Sequence, residues 1–195
     1  MHTRYLPFYT QERWQNWINK AKESGFKLGD QKGGAVFVNM EDDVVLACLK
    51  IIARYDKKQL SKEEALKHLD EIKQIVLKKI QPINEDIDIM LESTQLSLMG
   101  AFASCECYLE NAFEKTSIDK LIQKAIEAES KGDMNTALKN VAMIGANILA
   151  GENISEKFFD SIPDGIVAEW LDGVDSISAA MVGDNSYRDD EPDEE

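Results

Sequence analysis

Two cysteines one residue apart, Cys105 and Cys107 in "ASCECYLENAF", look more like chemistry than anything else in this chain of 195 residues. A shared metal or a redox pair would need both sulfurs on one side of the backbone. On a helix, residues two apart point about 200° away from each other. Zinc pairs use the two-to-four-residue gap of a turn, usually with a second pair elsewhere. No second pair exists, since the third cysteine is Cys48. Cys105 falls in the apolar stripe Leu91, Leu98, Phe102, Cys105 and Leu109. Cys107 falls in another, Leu96, Met99, Ala103 and Cys107. Each stands where a small apolar residue would, and a free cysteine behaves as one. The doublet reads as packing in a helix buried on two sides.

The histidines are His2 and His68. Glu64, His68 and Glu71 share one helix face, the arrangement of a metal ligand set, and form the one alternative metal site. A carboxylate-bridged di-iron bundle needs a Glu-x-x-His step on each of two helices, and the chain lacks both the step and the second histidine. "GDQKGG" is no phosphate loop, because Lys32 precedes the glycines and Ala35 follows them. Glu41, Asp42 and Asp43, and again Glu85, Asp86 and Asp88, read as acids in the first turns of helices. With two histidines, no Ser-His-Asp or Cys-His-Asn set suggests itself. The reading is no catalytic residue, no cofactor and no resident metal.

Interaction chemistry has better candidates. The first 26 residues carry six of the fifteen aromatics and are locally basic. Trp14, Trp17 and Arg13 there, and Trp170 near the other end, are residue types enriched at binding hot spots. Whether the N-terminal aromatics pack internally or on a partner stays open.

The formal charge of −14 repels phosphate backbones and anionic membranes, which argues against nucleic-acid and membrane partners. The last twelve residues hold seven acids and one arginine, net −6, which leaves −8 on the other 183. Residues 184–195 therefore read as a disordered, solubilising acidic tail, or otherwise as an electrostatic lure for a basic partner. Odd cysteine usage, an N-terminus without the apolar core of a signal peptide and the lack of a bilayer-length apolar run predict a cytoplasmic protein.

Helical spacing organises the rest. Thr10 caps a first helix with Trp14, Trp17, Ile18 and Ala21 on one face, ending near Gly25. Residues 25–39 read as an irregular glycine-containing loop with "AVFV" as an extended piece. Asn39 precedes a helix with Asp42 and Asp43 in its first turn. "SKEE" is a capping box for a helix that Pro82 ends. Asn84 opens the longest helix, to about Phe113. Residues 117–150 form one tetratricopeptide-like hairpin with a tight "KGD" turn and no second copy at that repeat length. Ser155 starts a short helix, and Ile166 to Met181 form the last. Thirteen uncharged residues between Glu92 and Glu106, and twelve between Lys139 and Glu152, belong at the bundle centre.

The stretches "FYTQERWQNWINK", "MEDDVVLACLKIIARYD", "GDMNTALKNVAMIGANILAGE" and "VAEWLDGVDSISAAM" resemble an uncharacterised archaeal family, a domain of unknown function, over residues 8–182. The resemblance implies an archaeal cytoplasmic protein and brings no activity, ligand or partner with it. The expected object is all-α: a single bundle of about seven helices over 1–183 with a buried long central helix, then the tail. Its expected function is a protein-interaction, adaptor or regulatory module without catalytic activity, with an unknown protein partner or self-association. The alternatives are a metal or small-molecule binding bundle or enzyme, and a structural homodimer.

Overall fold

The computed structural model describes residues 7–29, 33–153 and 162–183. The short helix expected from Ser155 and the acidic tail of 184–195 lie outside these residues. The described residues form seven α-helices and no strand: α1 Gln11–Glu23, α2 Ala35–Asp56, α3 Lys62–Val76, α4 Glu85–Glu110, α5 Ile118–Ser130, α6 Met134–Leu149 and α7 Ile166–Val182.

Most boundaries follow from capping chemistry. Thr10 Oγ1 accepts the Arg13 N–H at 3.1 Å. Ser61 and Glu64 close a reciprocal capping box, at 3.2 Å to the Ser61 hydroxyl and 2.8 Å to the Glu64 carboxylate. Asn84 caps α4 through the Ile87 N–H at 3.1 Å, and Asp133 caps α6 through the Thr136 N–H. The start of α7 borrows its cap. Glu129 of α5 accepts the N–H groups of Ile166 and Val167 at 2.7 and 3.2 Å.

Two boundaries differ from expectation. The 25–39 loop stops at Gly34, because α2 begins at Ala35 and takes in "AVFV". Phe37, Met40, Val44, Cys48 and Ile51 continue one helical stripe, each at most 2% exposed. Burial of that stripe overrides the strand preference of the valines, which have no partner strand. Glu41, Asp42 and Asp43 therefore sit inside α2 rather than in its first turn. Helix α3 ends at Val76, before Pro82, because Gln95 of α4 takes its terminal carbonyls. The Gln95 Nε2 donates to Val76 O at 2.7 Å and to Lys78 O at 3.0 Å.

Helix α4, about 39 Å long at 1.5 Å per residue, is the axle of the bundle. It packs against α2, α3, α6 and α7. Leu98, Phe102, Cys105 and Leu109 are all at most 1% exposed. Against α7 the backbones touch. A Cβ on Gly100 would lie 2.0 Å from the Trp170 carbonyl oxygen, and one on Gly173 would lie 2.0 Å from that of Ser97. Helices α5 and α6 form the hairpin, turning at Gly132 with φ +73°. Cys105 lies in the main core, and Cys107 packs with Ala142 and Ala146 in a smaller cluster.

Candidate functional site

Three constellations bear on function: a polar hub between α1 and α2, an acidic seam among α2, α4 and α7, and a groove beside α1.

The hub is built on Asp43. Its carboxylate accepts the Tyr9 hydroxyl at 3.1 Å, the Trp17 Nε1–H at 2.7 Å and the Arg13 Nε–H at 2.9 Å. A second Arg13 nitrogen, Nη2, completes a bidentate ion pair. Burial, then the Asp43 carboxylate, pushes the Tyr9 phenol far above its ordinary range. Lys20 lies over the Trp17 ring, 4.3 Å from its centroid. The contacts made by Arg13 and Trp17 are thus to their own fold. Trp14 is 1% exposed and Trp170 is 4%, so both tryptophans belong to the core.

The seam is built on Glu41. Ser97 of α4 and Ser176 of α7 each donate a hydroxyl to Glu41 Oε1, at 2.7 and 2.6 Å. Burial raises the Glu41 carboxyl above its ordinary 4.5, the two hydroxyls oppose this, and Asp42 and Asp175 add to it. Burial, then Glu169, Glu41 and Asp175, pushes Asp172 up to about 6. Asp42 is raised by burial. Ser93 donates to Glu169 at 2.5 Å. Glu41, Asp42, Asp172 and Glu169 form no ion pair among the described residues. Hydroxyls hold two of these carboxylates, Glu41 and Glu169. The seam offers a carboxylic acid near neutral pH, but no histidine lies within it to act as a base.

The groove, with a volume of about 430 Å³, runs between α1 and the segment joining α3 to α4. Ile18, Ile75, Ile80, Pro82 and Ile83 supply apolar surface over the buried Trp14. Gln11, Gln15, Asn19 and Gln81 supply amides, and Lys22, Lys78 and Lys79 supply charge. No acid lines it, and the three lysines form no ion pair among the described residues. Other clefts differ in sign. The one at the start of α7 is lined by Asp164, Glu169 and Asp172 with no base. The one beside the end of α2 balances Asp56 against Lys57.

The structure does not bring Glu64, His68 and Glu71 together as ligands. The Glu64 carboxylate turns back to the Ser61 N–H, which also lowers its pKa. His68 Nδ1 meets Glu71 at 3.0 Å, and its ring packs 5.0 Å from that of Phe8. Among the described residues no group of three or more His, Cys, Asp or Glu side chains is placed to hold a metal ion. Cys48, Cys105 and Cys107 are buried free thiols, and burial raises Cys107 to about 11. A thiol so raised is a poor nucleophile at neutral pH.

The sequence reading missed both the seam and the groove. The stripe from Phe37 was the available signal for the first, because it places Glu41 in mid-helix. The Lys78–Lys79 doublet, facing the amide-bearing side of α1, was the signal for the second.

Among the described residues, fold and sites together define an all-α bundle of seven helices with a basic groove and an acidic seam that no cation pairs. The chain belongs to the family described as an uncharacterised protein conserved in archaea, DUF2150, whose model matches residues 7–190. No curated protein and no solved structure matches it. No helix among the described residues is long and apolar enough to cross a membrane.

Proposed function

We propose that this protein is a cytoplasmic interaction module without catalytic activity, and that the α1 groove takes an acidic, partly apolar segment of a partner protein. One observation carries the reading: three lysines that form no ion pair among the described residues stand around an apolar floor that no described acid lines, in a chain of formal charge −14. A surface of that overall sign repels acidic polypeptides everywhere except at such a patch, so the patch supplies both attraction and register. The floor supplies the apolar burial that the charges lack. The aromatics and arginine of α1 support the groove from behind, since the Asp43 hub fixes α1 on α2.

The test is a titration of the full-length protein with an Asp/Glu-rich peptide bearing one aromatic residue, read by tryptophan fluorescence at low and moderate salt. Binding should weaken as salt rises. It should fall at least about tenfold, or ~1.4 kcal/mol, in the variant Lys78→Glu with Lys79→Glu. Binding that ignores the double reversal would overturn the assignment of the groove.

A further inference from the structure

The groove has a candidate occupant within the same polypeptide. We infer that residues 184–195 dock in the groove of their own chain and compete there with the partner. The inference rests on the groove being the acidic-segment site.

Three observations lead to it. The segment "DNSYRDDEPDEE" carries net −6, and it has one aromatic, Tyr187, to set against the apolar floor of Ile18, Ile80 and Pro82. Lys22, Lys78 and Lys79, which form no ion pair among the described residues, offer three charges in reply. Other clefts suit it less: the one at the start of α7 is acidic, and the one lined by Met181, near the end of α7, balances Asp56 against Lys57. Twelve residues beyond Gly183 span at most about 40 Å when extended, a length comparable to α4 itself. A tethered segment acts at an effective concentration on the order of millimolar, so even a weak contact keeps the groove largely filled.

The probe is a fluorescein-labelled peptide of sequence 184–195, added to three full-length chains. These are the natural chain, a chain with every Asp and Glu of 184–195 changed to its amide, and the amide chain also carrying Lys78→Glu and Lys79→Glu. The amide chain should bind the probe about tenfold more tightly than the natural chain, because the tethered competitor is gone. The double reversal should abolish that binding. Equal affinity for the natural and amide chains, with loss on charge reversal, overturns the inference and leaves the groove reading standing. No binding to the natural and amide chains, or binding indifferent to the reversal, overturns both. Competition in the natural chain that grows with protein concentration overturns docking within one chain, since the competing segment then comes from another copy.

Discussion

Asp43 and Glu41 sit two residues apart on α2 and face opposite ways, about 200° around the helix. Each carboxylate is the node of a seam, and the two seams solve the same problem by different means. Toward α1, Asp43 meets a guanidinium, an indole N–H and a phenol, and its charge is compensated. Toward α4 and α7, Glu41 meets two hydroxyls and further acids, and its carboxyl is pushed up. The first seam holds through side chains that reach across a gap. The second holds because glycines let two backbones touch, and Glu41 sits in the polar remainder. Compensation by a cation makes a latch, whereas burial beside hydroxyls and further acids, without a cation, leaves a carboxyl that holds its proton to higher pH than usual.

The strongest way to break the contrast is Gly173→Ala. The new Cβ would lie 2.0 Å from the Ser97 carbonyl, a collision of backbone rather than of a flexible side chain. The loss should exceed ~4 kcal/mol in urea unfolding, at the upper end for single substitutions. Retention of near-natural stability would show that α7 does not lean on α4 as described. Next comes Asp43→Asn, which removes the bidentate partner of Arg13. The expected cost is about 2–3 kcal/mol, read by the same unfolding curve. The smallest effect sharpens the contrast most. Because the folded-state pKa of Glu41 is raised, the stabilisation it contributes is present below its unfolded value near 4.5 and is lost as pH rises through the folded value. Glu41→Gln keeps an oxygen for Ser97 and Ser176 and carries no charge. Its melting temperature should match the natural chain below pH 4.5, exceed it as pH rises above that value, and hold a constant lead once Glu41 is ionised in the folded chain. A constant offset at every pH would mean Glu41 does not titrate as its surroundings dictate.

Periodicity and capping made the fold legible. Thr10, the Ser61–Glu64 box, Asn84 and Asp133 each cap where their residue type predicts, since a cap is a local signal. The stripe of Leu98, Phe102, Cys105 and Leu109 announced a buried α4, because a helix without a charged face must be enclosed. The start of α2 was misread since Gly34 offers no side-chain cap and "AVFV" carries strand preference. Burial of the stripe from Phe37 onward decides it, with the Phe37 ring 5.2 Å from that of Phe26. The sites were less legible. Ser97 and Ser176 are 79 residues apart in sequence, and nothing local says that they share one carboxylate. Lys78 and Lys79 look like ordinary solvated lysines until Gln95, from another helix, ends α3 just before them. The same limit applies to Arg13 and Trp17. Their types suggest a binding face, yet their partner is an acid 30 positions from Arg13 and 26 from Trp17 that only the packed bundle supplies.

Gln95 and Ser97 stand on consecutive alternate positions of α4, and each grips something different. Gln95 holds the backbone that carries the groove's lysine pair, and Ser97 holds the acid of the opposite seam. Whatever tugs on that lysine strand loads the same stiff rod on which the seam is pinned. The wall of the groove and the acid of the seam are thus anchored two residues apart on one rigid helix, so a break in α4 would loosen both at once.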